Sequence, residues 1–455
     1  MSDLIAAVAT GSAVSAICVI RLSGDGAVDT AGRLFAPADG RPLADHGDRQ
    51  LIYGTLRDRM GQTLDLCLCT VSRAPRSYTG EDTAELQLHG SPVLAAQTLE
   101  ELFALGARQA LPGEFTKRAF LNGKMDLTGA EAVIDLIESE TPAAVRNAAG
   151  QLSGAVFRRS EAAYRILTDM AAHFQAAVDW PDEDVPPFEL EAYAGTLETV
   201  AGDLESLLDT YGRGRVLRSG IRCVILGRPN VGKSSLLNAL AGYERVIVTP
   251  EAGTTRDTVE ERVAVGGILL RLTDTAGVRA GETDAERQGV LRALEAAETA
   301  ELVLAVFDGS EPMTEEDEQV LRTAAGRNTV AVVNKCDLPR KLDAGRIEDT
   351  LGQAVELSAV AGTGLDRLEA AVSEKLPKGG GAPQGEILTN ARQAEAVSRA
   401  LESVREAGLA ARTGMTPDAV LIGLEDAMEA LAQLTGRSVT EDVTDSIFRR
   451  FCVGK

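Results

Sequence analysis

Positive charge, histidine and cysteine are scarce in this 455-residue chain, and long apolar runs are absent. Forty-six Lys and Arg stand against sixty-eight Asp and Glu, a net charge of −22. So acidic a surface disfavours broad electrostatic adhesion to nucleic acid or to an anionic membrane, and leaves only local contacts of that kind. Three histidines and six scattered cysteines without a CxxC make a zinc site improbable, and point to a reduced, cytoplasmic compartment. The start, MSDLIAAVATGSAV, lacks the basic flank and long apolar stretch of a signal peptide. No uninterrupted apolar run approaches the roughly 18 residues of a membrane span, so no membrane association is expected.

The length implies roughly two to four domains. Residues 1–118 mix β-rich runs (AICVIRLSG, QLIYGTLRD, LDLCLCTVSR, AELQLHG) with one helical stretch, PVLAAQTLEELFALGA, and read as an α/β domain. From 119 to 216 the pattern is helical, interrupted by a proline-rich break at 181–187. Between 217 and 378, apolar strand-like runs (IRCVILG, ILLRLTDT, ELVLAVFD, TVAVVNK, AVELSA) alternate with helical stretches, as expected of a parallel sheet covered on both faces. The flexible PKGGGAPQGE then leads into a second helical segment, 379–455. Helical sequence on both sides of the α/β block predicts a helical domain in two chain segments with an α/β domain inserted into it. No internal repeat is evident.

The most specific signal follows the strand IRCVILG. GRPNVGKSS fits G-x-x-x-x-G-K-[ST] through Gly227, Gly232, Lys233 and Ser234. In such a loop, backbone N–H groups close around phosphates, the lysine reaches the β and γ oxygens, and the serine hydroxyl ligates Mg²⁺. Four further signals come in order. TTRD offers Thr255 as a second magnesium ligand, and DTAG (Asp274, Thr275, Ala276, Gly277) brings Asp274 to the magnesium shell and Gly277 to the γ-phosphate. NKCD offers Asn334 and Asp337 to the guanine edge, with Lys335 in the GTP-binding set, and SAV offers a backbone amide around Ser358 and Ala359 for the guanine oxygen. The nucleotide is therefore expected to be GTP. Val278 follows the DTAG glycine where Ras-like enzymes carry a water-orienting glutamine, so another polar group must serve. Glu282, Asp284 and Glu286 lie in the loop beyond it. A glutamate at a helix start also complements the macrodipole, so catalysis is not implied by pattern alone. No arginine finger is visible, and a monovalent cation is one substitute for its charge.

SYTGED, PGEFTKRAFLNGKMDLTGAEAVIDLI, AAVDWPDED, GRPNVGKSSLLNAL, IVTPEAGTTRD and the terminal FCVGK lie in all three regions. Through them the chain resembles the MnmE (TrmE) family of tRNA modification GTPases over nearly its whole length. The resemblance implies an amino-terminal folate-binding domain that dimerises, a helical domain from two segments and an inserted Ras-like P-loop GTPase domain. It implies a homodimer that works with MnmG, an FAD- and NADH-dependent partner, in a heterotetramer or larger complex. Together they place an aminomethyl or carboxymethylaminomethyl group on carbon 5 of the tRNA wobble uridine, using formyl- or methylene-tetrahydrofolate.

Residue by residue, the resemblance gives K⁺ ligation to Asn230, Thr249, Glu251 and Thr254, and water orientation to Glu286. The GTP-contacting set extends to Val231 and Ser235. Folate contacts map to Arg21, Glu85, Lys124 and Lys455, with Cys452 beside the one-carbon unit. Phe451 and Val453 are the expected apolar anchors of the tail. Two departures lie near the folate region: TGSAVSA stands where the family has a PPGRG-like stretch, and HGS where it has HGG. Two other readings compete: a ribosome-assembly GTPase with RNA-docking arms, and a folate scaffold whose GTPase domain is a clock.

Overall fold

A computed structural model describes residues 2–11, 13–179, 190–243, 261–272, 296–376 and 385–454. It divides into two compact units, residues 1–134 with 432–455 and residues 135–431.

The first unit is built on a seven-stranded sheet of β1 (Ile5–Val8), β2 (Ile17–Ser23), β3 (Phe35–Pro37), β4 (Ile52–Arg57), β5 (Thr63–Ser72), β6 (Thr83–His89) and β7 (Arg108–Gln109), in the order β3-β4-β5-β6-β2-β1-β7. All pairings are antiparallel except β1 with β7. Along β2, Cys18, Ile20 and Leu22 bury into a core shared with Ala95 and Leu102 of helix Pro92–Ala104, so that helix covers one face. Arg21, one register position off that alternation, points to the other face. The LDLCLCT run does form a strand, and its two thiols lie in the core. Burial, with the Asp65 charge, pushes the Cys67 thiol up to about 12.

The tail is docked on this unit. Phe451 packs on Phe448 with ring centroids 5.3 Å apart, beside Ala130, Val133 and Ile134. Val453 does not serve as a second apolar anchor, because its side chain is 46% exposed. Its backbone holds instead, through an antiparallel bridge with Pro112 and a bond from Gly113 N–H to the Cys452 carbonyl at 3.3 Å. Gly454 then adopts φ +100° against the Val8 carbonyl, where a Cβ would overlap the backbone.

The second unit holds a six-stranded sheet in the order β13-β12-β11-β8-β10-β9, made by β8 (Ile221–Leu226), β9 (Glu261–Val265), β10 (Ile268–Leu272), β11 (Leu302–Asp308), β12 (Thr329–Asn334) and β13 (Val355–Glu356). The central strands are apolar end to end because both faces are covered: Cys223 and Ile225 of β8 enter one core, Val224 and Leu226 the other. The expectation of a wholly parallel sheet needs one correction. β9 runs antiparallel to β10, joined by the two-residue turn Gly266–Gly267, and forms the edge.

Helices Pro142–Leu152, Ala155–Asp179, Leu190–Leu208, Ala391–Arg412 and Pro417–Thr435 make the helical part. Its two chain segments meet where the sheet-bearing region begins and ends. Thr210 Oγ1 accepts from Leu388 N–H at 3.0 Å, Asn147 Oδ1 accepts from Gly385 N–H at 3.1 Å, and Gln151 donates to the Ile387 carbonyl. Asp135 takes Thr389 Oγ1 at 2.8 Å and pairs with Arg218 Nε at 2.8 Å. The four hydrogen bonds to Gly385, Ile387, Leu388 and Thr389 each span more than 170 residues of sequence, so the chain leaves and re-enters the helical part at one clamped point.

No helix among the described residues is long and apolar enough to cross a membrane.

Candidate functional site

β8 lies near the middle of its sheet, and its carboxyl end opens where open α/β sheets receive ligands. After Leu226 the chain turns through 227–232 into helix Lys233–Tyr243. Val231 is fully buried and anchors the loop in the core. Asn230 is exposed with φ +65°. Gly232 takes φ +96°, and a Cβ there would overlap Asn334 Nδ2. Lys233 Nζ donates to the carbonyls of Gly227 at 2.7 Å and Arg228 at 2.8 Å, which folds the ammonium over the loop. Ser234 is exposed in the first helical turn and Ser235 half-buried. The helix N-terminus adds its partial positive charge to the same spot.

The other half of the site comes from β12 and the segment after β13. Asn334 is 2% exposed, and its side chain is spent inside the protein: Nδ2 donates to the Val231 carbonyl at 2.8 Å, and Oδ1 accepts from Ala359 N–H at 3.0 Å. This alters two expectations. Asn334 acts here as a brace between the phosphate loop and the SAV segment, and the Ala359 amide offered to the guanine oxygen is already engaged. Among the described residues the Val360 N–H donates to nothing, so it is the open donor beside it. Ser358 is buried, with Oγ accepting from Ala361 N–H at 3.1 Å, and fixes that turn. Asp337 is exposed and its carboxylate accepts no hydrogen bond among the described residues, as a base-reading acceptor must.

Two residues that sequence reasoning passed over tie this region together. Arg228 donates from Nη2 to Glu311 at 2.5 Å and from Nε to Asp317 at 3.2 Å, pinning the phosphate loop to helix Glu315–Ala324. Asp308, 3% exposed at the end of β11, receives Lys335 Nζ at 2.6 Å. A carboxylate closing an otherwise apolar strand, ELVLAVFD, was the available signal. Thr249, Glu251, Thr254, Thr255, Asp274, Thr275, Ala276, Gly277 and Glu286 lie outside the described residues, as does Lys455.

In the first unit, the structure brings together Arg21 and Glu85. Arg21 Nε donates to Glu85 Oε1 at 2.8 Å, and the guanidinium stands 5.2 Å from the Tyr78 ring centroid and 5.6 Å from that of Phe115. Lys124 is exposed nearby in the same loop system, donating to the Pro75 carbonyl at 2.8 Å, while its stem lies against Gly80. Behind them Arg118 binds Glu81 at 3.0 Å and Glu114 at 3.0 Å, which fixes the SYTGED loop. Cys452 is not in this cluster. Its exposed side chain lines a cavity of about 490 Å³ with Val8, Cys18, Ala95 and Leu99, on the helix-covered face of the sheet.

A glycine-bearing loop between a central parallel strand and a helix, tied through Asn334 to Ala359 and accompanied by an exposed Asp337 acceptor, defines a P-loop guanine-nucleotide-binding protein. Residues 4–124 match the family model described as the GTP-binding protein TrmE N-terminus, and residues 127–452 that of the MnmE helical domain. The tRNA modification GTPase MnmE of Thermus thermophilus is 44% identical, aligned over 100% of both chains, and that of Symbiobacterium thermophilum 42%, over 100% of this chain and 99% of its own. The chain belongs to the MnmE family of tRNA modification GTPases. Among solved structures, the FeoB G-domain from Methanococcus jannaschii aligns with 34% of this chain and 96% of its own, at 24% identity and a TM-score of 0.25.

Proposed function

We propose that this chain is a potassium-activated GTP hydrolase of tRNA wobble-uridine modification. It would act as a homodimer with an FAD- and NADH-dependent partner, MnmG, in the cytoplasm, and draw the one-carbon unit from formyl- or methylene-tetrahydrofolate. The observation that carries the reading is the Asn334 brace between Val231 and Ala359, which holds a phosphate loop and a base loop at one site. The donor set fits GTP. Asp337 offers an open acceptor to the guanine N1–H and amino group, which adenine lacks, and Gly232 gives the phosphate loop the close approach to Asn334 that a Cβ would forbid.

Ser234 and Thr255 would hold Mg²⁺, with hard oxygen ligands suited to it. Asn230, exposed at the lip of the phosphate loop, would hold K⁺ together with Thr249, Glu251 and Thr254. A cation there supplies the positive charge that an arginine finger supplies in other GTPases. Glu286 would orient the attacking water. In the amino-terminal unit, Glu85 Oε2 accepts no bond among the described residues and suits the N–H donors of a pterin, while Lys124 and Lys455 suit its carboxylate tail. Tyr53 and Leu66, directed to one face of β4 and β5 and more than half exposed, support a second copy covering that face.

GTP turnover by the purified chain in KCl and in NaCl at equal ionic strength tests the reading. Faster turnover in KCl, with the difference abolished by Asn230→Ala, is expected. Equal rates would overturn the potassium role.

A further inference from the structure

We infer that Asp308 is a positioning residue for the guanine base, acting through Lys335; the inference rests on the reading of this site as a guanine-nucleotide site. Lys335 follows directly on β12 with φ +65°, a left-handed backbone that a lysine adopts at a cost. A lysine at such a turn would ordinarily extend its ammonium into water. Here Nζ is held at 2.6 Å by Asp308 Oδ2, from the adjacent strand. Asp308 is the register partner of Asn334, the residue before Lys335, so the pair spans neighbouring strand ends.

The carboxylate is prepared for this task. Oδ1 is taken by Ser310 N–H at 2.9 Å and Ser310 Oγ at 2.7 Å, which leaves Oδ2 for the ammonium. Burial pushes the Asp308 carboxyl up, but Lys335 and the Ser310 donors outweigh it and hold it below its usual range. The loop itself is tied to the base segment: Gly309 N–H donates to the Asn334 carbonyl at 2.9 Å, and the Gly309 carbonyl accepts from Lys341 N–H at 2.9 Å. With its head fixed on β11, the lysine's four-carbon stem becomes a stiff apolar wall next to Asp337 instead of a flexible solvated chain. Such pre-ordering removes rotamer entropy that binding would otherwise cost. The pair makes no demand on the phosphates, so its effect falls on base affinity.

The test uses the full chain with a fluorescent GDP analogue and with GTP. Asp308→Asn keeps the shape and an acceptor for Ser310 but loses the charge. It is expected to speed GDP dissociation and raise KM by about ten- to a hundredfold, the range for a charge-assisted hydrogen bond, with a far smaller change in kcat. Lys335→Met retains the stem without the ammonium. If Asp308 acts through Lys335, the double variant is no worse than the more impaired single one. Losses that multiply in the double variant, or wild-type dissociation from Asp308→Asn, would overturn the inference. A fall in melting temperature that Ser310→Ala reproduces, without the change in KM, would assign Asp308 a structural role and overturn it as well. If the wild-type chain fails to prefer GDP over ADP, the guanine reading itself fails, which is a separate outcome.

Discussion

The Asn334 side chain donates to the Val231 carbonyl at 2.8 Å across 103 residues of sequence, directly behind Gly232. The phosphate loop and the base loop therefore cannot move independently, and the space between them is filled by that amide.

Gly232→Ala follows from this packing. The new Cβ would overlap Asn334 Nδ2 and sit at φ +96°, at a cost of about 1–3 kcal/mol from backbone strain before any overlap is counted. Binding of a fluorescent GTP analogue should fall by tenfold or more while the far-ultraviolet spectrum is retained. Wild-type affinity would show that the loop relaxes away from Asn334.

Asp337→Asn should exchange guanine selectivity for tolerance of xanthine nucleotides, because an acceptor carboxylate becomes an amide that presents donors. The loss against GTP should be about ten- to a hundredfold, the size of a hydrogen bond to a charged group. Competition between GTP and XTP for the variant measures it, and an unaltered preference for GTP would remove Asp337 from the base site.

The resemblance to known GTPases was legible because it rests on spacing, which survives without any structure. The central strands were legible for a different reason: β11 and β12 are buried on both faces, so their sequences are continuous apolar runs. The antiparallel edge strand β9 was not, since ERVAV and ILLRL look alike whichever way they run. IAAV of β1 is too short to show a period, and the helix Glu441–Phe448 is too polar at its start. Asp308 gained its meaning only from the pairing of β11 with β12. The place of Cys452 depends on which face of the sheet the tail crosses, which no motif encodes.

Acid should weaken the amino-terminal unit. Burial pushes the Glu114 carboxyl up, but Arg108, the Leu111 N–H and Arg118 outweigh it and hold it below the usual glutamate value. A depressed carboxyl contributes stability above its unfolded value and loses it as the pH falls through the folded one. The melting temperature should therefore drop progressively below about pH 4.5. Glu114→Gln should cost about 1–3 kcal/mol at neutral pH, because Arg108 and Arg118 lose a charged acceptor but keep Asp3, and should flatten that acid dependence. An unchanged pH profile in the variant would remove Glu114 from the account.

Cys452→Ser is expected to leave folding and GTP turnover intact, since Phe451 and the Pro112 bridge hold the tail and the thiol only lines a cavity. If the thiol serves the one-carbon chemistry, tRNA modification should fall in this variant, and deleting residues 453–455 should weaken tetrahydrofolate binding. Modification at the wild-type rate would make Cys452 a packing residue.

Mass spectrometry of tRNA nucleosides from a strain lacking this chain tests the account most directly. The account predicts loss of the 5-aminomethyl and 5-carboxymethylaminomethyl uridine derivatives at the wobble position, restored by the wild-type chain but not by Lys233→Ala or Glu286→Ala. An unchanged nucleoside profile, with the chain sedimenting with ribosomes in a nucleotide-dependent way, would contradict it.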